Sequence, residues 1–221
     1  MQINKEFLKS LNPCADRYKH FLKHHGEFNG SFSDFLDLPN VAYSDKVWVA
    51  EKVLTQNQLV KWSVLCADSV VHIFEVKYPK DKRISNCIDF LKTVNDFDNL
   101  TYAQVLEVRG HIDYTNSAHF TAHYTAKDAG EDADSAAVRA ARAAYAAHAA
   151  VYAANSAYLA NAAYAASVSE GAYAAAYTTK YAIDAARFAF HAAKNAGEDA
   201  DAAQENQKAL NLQFLKQVTS L

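Results

Sequence analysis

Between Ser135 and Lys194 alanine takes so many positions that helix propensity stands near its maximum and side-chain volume near its minimum. Such a segment is confined to helices that approach one another closely, because small side chains allow short interaxial distances. Each alanine buries little area, so the large residues left among them must supply the anchoring. Those are mainly tyrosines. At about 100° per residue, Tyr145, His148, Tyr152, Asn155 and Leu159 share one stripe. In the helix that follows, Glu170, Tyr173, Tyr177, Lys180, Tyr181, Asp184, Phe188 and His191 share another. Two such faces either complete a core with hydroxyls reaching water, or line an aromatic, polar-rimmed pocket for a planar or phosphorylated small molecule, with Arg139 and Arg142 beside it. A flat ice-binding surface fits less well, since threonine is nearly absent and tyrosines and charges interrupt the face.

The composition changes near residue 128. Before it the chain mixes Leu, Val, Phe, Trp and charges, and after Ser135 it is simple. Proline is limited to Pro13, Pro39 and Pro79, and only 6 glycines occur, so few positions force a break and helices are favoured over hairpins. The expected fold is an all-α multi-helix bundle with closely packed Ala-rich C-terminal helices. Thr55-Gln56-Asn57-Gln58 and Thr101-Tyr102-Ala103-Gln104 both fit a capping box. From Thr55, the residues Leu59, Trp62, Leu65, Cys66, Val70, Ile73 and Phe74 recur at helical spacing until Pro79. Shorter helices are expected at about 14–25, 31–38, 44–54 and 84–96.

One internal repeat stands out. Ala126-Lys127-Asp128-Ala129-Gly130-Glu131-Asp132-Ala133-Asp134 returns as Ala193-Lys194-Asn195-Ala196-Gly197-Glu198-Asp199-Ala200-Asp201. It predicts two equivalent joints, each a helix ending on Lys, a glycine in the left-handed conformation, then acidic residues that cap the next helix. A calcium loop is the alternative, but the required D-x-[DN]-x-[DN]-G order followed by a distant Glu is not met.

With 51% hydrophobic residues in 221, the chain can bury a sizeable core. A formal charge of −3 gives no global reason to expect nucleic acid. Cys14, Cys66 and Cys87 lack the spacing of a disulfide framework or a zinc site, and read as buried free thiols. No apolar run follows a basic start, and charges interrupt the Ala-rich half before bilayer length, so the expected location is the cytoplasm, with no membrane span. His119 and His123 could ligate a metal from one helix face, yet Phe120-Thr121-Ala122 between them lacks the glutamate of an HExxH site. No metal or other cofactor is expected.

Cys66-Ala67-Asp68, then Phe74-Glu75, Pro79, Asp81, Arg83 and the helix through Ile88-Asp89 together resemble the motif of the Imm-5-like putative immunity proteins. The likeness runs from Trp62 to Leu210. Asp81 and Arg83 fall on that family's D-x-R, Glu75 on its FE, and Glu170-Gly171 precede the helix matching its small-residue segment. Ile84 stands where the family often has Pro, and Gln204-Glu205-Asn206-Gln207 closes the match without its usual Trp. The first 60 residues, with Asn12-Pro13-Cys14 and Phe35-Leu36-Asp37-Leu38-Pro39-Asn40, look like the front segments of phage proteins. Two parts follow: an N-terminal helical segment over 1–60 and an Imm-5-like helical domain over 61–221.

Catalysis needs a nucleophile with a base, paired carboxylates, a metal cluster or a phosphate-cradling loop, and no such pattern is specified. The resemblance implies a non-enzymatic immunity or anti-defence role in which the chain occludes a toxin or defence-system protein. The alternatives are a sponge for a nucleotide-like signalling molecule, and an enzyme with a dispersed site. Candidate binding residues are Arg83, Arg139, Arg142, Tyr145, His148, Tyr152, Tyr173, Tyr177, Lys180 and His191. Ala-rich surfaces also predict a homo-oligomer.

Overall fold

The computed structural model describes residues 1–96 and 199–220, together with Thr101, Ala103, Gln104, Glu107, Gly110, Ala118, Tyr124, Ala193 and Lys194. The described residues are mostly helical: α1 (Lys5–Ser10), α2 (Ala15–His25), α3 (Phe32–Asp37), α4 (Tyr43–Val53), α5 (Gln56–Lys77), α6 (Arg83–Thr93) and α7 (Ala200–Thr219). One small sheet joins them, in which β1 (Gln2–Asn4) pairs antiparallel with β2 (Asn29–Ser31), Ile3 opposite Gly30. No strand is expected from the sequence, yet one three-residue pair beside seven helices leaves the described residues in agreement with the all-α expectation. Three residues per strand are too few for an alternating pattern to show.

Local chemistry places the helix starts. Thr55 and Gln58 form a reciprocal capping box at α5, as do Ser31 and Asp34 at α3. Thr101 and Gln104 make the same pair of bonds, 2.9 Å from Thr101 N–H to Oε1 and 3.3 Å from Gln104 N–H to Oγ1. Asp199 caps α7 through the Ala202 amide, as the acidic repeat predicts for the second joint. The first copy of the repeat, over 126–134, lies outside the described residues.

Helix α5 is the centre of the packing and carries two neighbouring apolar faces. Leu59, Trp62, Cys66 and Val70 pack with Ile3, Leu8, Phe21, Phe35, Leu36, Val47, Val49 and Ala50 of the N-terminal elements, and with Leu215 and Val218 of α7. About 100° round the helix, Val60, Val64, Ala67 and Phe74 pack with Ile84, Cys87, Ile88 and Leu91 of α6. Residues on both sides of position 60 therefore share one cluster, and α5 runs through that position unbroken. Helix α7 lies along α5 and against α3, tied by Lys216 to Asp37 and by the Gln58 amide to the Val218 carbonyl at 3.2 Å.

A chain of hydrogen bonds runs through polar side chains inside this core. The Asn211 side chain is fully buried, donates to the Tyr43 hydroxyl at 2.8 Å and accepts from Gln207 at 2.9 Å. Gln207 also donates to Ser69 at 2.8 Å. This chain of bonds links α7 to α4 and α5, and specifies how α7 is turned about its axis, because any rotation strands a buried amide. Among the described residues no helix is long and apolar enough to cross a membrane.

Candidate functional site

Two turns of the N-terminal elements come together to build a cavity. At the end of α1, Asn12 takes a left-handed backbone conformation with φ 57°, which turns the chain through Pro13 into α2. After α3, Asn40 repeats that conformation, φ 57°, next to Pro39 and leads into α4. Asparagine is among the few residues other than glycine that visit this region readily. Both turns are tied down. The Tyr18 hydroxyl donates to the Lys5 carbonyl at 3.0 Å, and the imidazoles of His20 and His25 donate from Nε2 to the carbonyls of Asn40 and Pro39 at 2.9 and 2.6 Å. A carbonyl only accepts, so each of these rings carries its proton on Nε2.

The space left between α1, α2, α4 and the 38–42 turn is a cavity of about 310 Å³. Leu8, Phe21, Phe35, Val41, Trp48 and Val49 supply apolar and aromatic walls. Asn12, Cys14, Arg17, His20, Asn40 and Asp45 form its polar rim. Across that rim the Arg17 guanidinium and the Asp45 carboxylate pair at 3.2 Å. The first turns of α2 and α4 both lie here, and their starting residues, Cys14 and Ala42, make no side-chain cap bond. An apolar pocket with few convergent polar groups is the usual form of a small-molecule site.

Cys14 is exposed, a correction to the expectation that all three thiols are buried, whereas Cys66 and Cys87 are buried. The reason is position. Cys14 starts a surface helix just after Pro13, whereas Cys66 and Cys87 point from α5 and α6 into the two core clusters. Burial pushes the Cys66 thiol well above its ordinary pKa, which leaves it unreactive. His20, His24 and His25 lie close together on α2, with the first two rings 4.6 Å apart. Partial desolvation, then the charges of His20, Lys23 and His25, hold His24 below the ordinary imidazole value. Among the described residues no three His, Cys, Asp or Glu side chains are arranged to hold a metal ion.

Of the residues singled out by sequence, Arg83 opens α6. Its Nε donates to Asp81 Oδ1 at 2.9 Å, its Nη2 to Oδ2, and its own amide to Oδ1 at 3.2 Å. The bidentate pair lowers the Asp81 pKa and raises that of Arg83. Glu75 accepts from Lys82 at 2.8 Å, and Lys92 bonds Asp68, so the acids of the motif stitch the α5–α6 hairpin. Gln207 enters the buried network, while Glu205 pairs with Lys208 on the surface. Arg139, Arg142, Tyr145, His148, Tyr152, Tyr173, Tyr177, Lys180 and His191, and the His119/His123 pair, lie outside the described residues.

No residue of the cavity lining is among the candidate binding residues read from the sequence. Its signal in the sequence is the pairing of Asn with Pro at two helix breaks, Asn12-Pro13 and Pro39-Asn40, each in a segment that reads as a distinct front element. Comparison of the chain with protein-family models, with curated proteins and with solved structures found no match.

Proposed function

We propose that this chain is a non-enzymatic binding protein with an immunity or counter-immunity role, and that it captures a small molecule in the cavity between α1, α2 and α4. The single observation that carries the binding reading is that cavity, about 310 Å³ with aromatic walls and a polar rim. Its neighbouring turns are held by hydrogen bonds from Tyr18, His20 and His25. A site already formed loses little entropy on ordering when a ligand arrives. The immunity context rests on the resemblance of Cys66-Ala67-Asp68 through Arg83 to the Imm-5-like proteins, and on the phage-like front segment. In that setting the protein acts in the host cytoplasm as a homo-oligomer.

Occlusion of a toxin or defence-system protein is the second reading, and the same resemblance favours it. The tyrosine stripes, with Arg139, Arg142 and Lys180, remain the proposed site for a nucleotide-like molecule in the Ala-rich half.

Mass spectrometry of small molecules released by denaturing protein purified from its producing cells tests the first reading. The expected result is one organic molecule in near-stoichiometric amount, recovered unchanged after prolonged incubation with the native chain. Conversion of that molecule would make the chain an enzyme. An empty extract together with a stable complex with a host protein would favour occlusion.

A further inference from the structure

The shape and charge of the N-terminal cavity narrow what it accepts. Its volume, about 310 Å³, stands at the lower end of small-molecule sites, room for one or two fused rings and not for a large cofactor. Trp48 is a partly exposed ring of the lining, with the buried Phe21 and Phe35 and the partly buried Val41 beside it. The rim carries two formal charges of opposite sign, Arg17 and Asp45, already paired at 3.2 Å. The other titratable nitrogen donor there, His20 Nε2, is committed to the Asn40 carbonyl. A charged ligand would have to leave water for apolar walls and compete for one half of the Arg17–Asp45 pair. A neutral ring system meets neither cost, and Asn12, Asn40 and Ser44 at the mouth supply uncharged donors and acceptors for its polar edge.

We infer that this cavity binds an uncharged mono- or bicyclic aromatic molecule, selected against anionic relatives by the internally neutralised Arg17–Asp45 rim. The inference rests on the cavity being the binding site, and it goes further by excluding phosphorylated ligands from that site. Trp48 and Phe21 hold the ring, and Arg17 and Asp45 act as a gate whose charge balance sets selectivity.

The full chain is titrated calorimetrically with indole, indole-3-acetate, tryptamine and adenosine monophosphate, and alkylation of Cys14 by iodoacetamide is timed with and without each probe. Indole is expected to bind saturably at one site per chain with Kd below about 1 mM, and to slow Cys14 alkylation. Indole-3-acetate and adenosine monophosphate should bind at least about tenfold more weakly. Val41→Trp, which puts a much larger side chain into the lining, should weaken indole at least about tenfold with the helical circular dichroism unchanged. Should that variant misfold, Arg17→Ala, on an exposed position, serves in its place: it leaves Asp45 uncompensated and should shift preference severalfold toward tryptamine over indole. Absence of saturable indole binding, or anionic probes that match indole, would overturn the inference. Anionic binding abolished by Val41→Trp would overturn only the selectivity claimed here and leave the cavity as a binding site, whereas turnover of a probe would end the binding-protein reading.

Discussion

The indole N–H of Trp62 donates to the backbone carbonyl of Asn211 at 3.0 Å, joining positions 149 residues apart inside the core. Around that bond the Asn211 side chain reaches Tyr43 and Gln207, so the last helix is docked by direction-specific contacts as well as by Leu215 and Val218. Desolvation, the largest influence on the Tyr43 hydroxyl, raises its pKa far above the ordinary value, so it stays protonated.

Replacing Asn211 by Ala removes one buried partner from Tyr43 and one from Gln207. The expected loss is about 2–4 kcal/mol, read from the urea midpoint at unchanged slope. Glu205→Ala, at the exposed pair with Lys208, should change stability by less than about 0.5 kcal/mol. Equal effects of the two substitutions would contradict the assignment of Gln207 and Asn211 to the interior.

Asn40 holds φ 57° while its carbonyl accepts from His20. Asn40→Ala should lower stability by about 1 kcal/mol, because a Cβ without a compensating amide is disfavoured in the left-handed region. Asn40→Gly keeps both the conformation and the carbonyl, and should leave thermal stability nearly unchanged. A scan of melting temperature for the two variants checks the order.

Much of the helical frame was legible because its signals are local. The α5 capping box and the spacing of Leu59, Trp62, Cys66, Val70 and Phe74 depend on neighbours within one or two turns, and all five side chains are buried. Leu65 and Ile73, read as part of the same face, are partly buried at its edge. The β1–β2 pair was not legible, since it joins Gln2 to Ser31 through tertiary placement of α1 and α2. The same holds for the cavity, whose walls come from Leu8, Phe21, Phe35 and Trp48 on four separate helices. At Arg83 the D-x-R spacing is legible as a pair of residues, and their geometry is a local bidentate pair at the start of α6.

Carboxylates give the acid response its sign. The Arg83 side chain holds Asp81 below its ordinary value of 3.8, and bonds from Lys82 and Ser85 hold Glu75 below 4.5. A depressed carboxylate stabilises the fold fully above its unfolded pKa and stops doing so as pH falls through the lower folded value. Stability should therefore be insensitive to these groups from about pH 5 to 7 and decline below about pH 4. Denaturant midpoints measured over that range should show a shallower acid decline for Asp81→Asn than for the parent.

Thiol accessibility tests the packing of α2, α5 and α6 at once. Cys14 is exposed, while Cys66 and Cys87 are buried in separate clusters. Titration with a thiol reagent should find one rapidly reacting cysteine in the native chain and all three in denaturant. Rapid native reaction of a second thiol would place Cys66 or Cys87 wrongly.

Native mass spectrometry of the chain purified from its producing cells, run beside Val41→Trp prepared identically, addresses the binding role whatever the ligand is. The parent should carry a discrete adduct small enough for the cavity between α1, α2 and α4, and the filled variant should fly at its bare mass. An adduct of the same mass and occupancy on both proteins, or none on either, would contradict the claim that this cavity is where the protein holds its target.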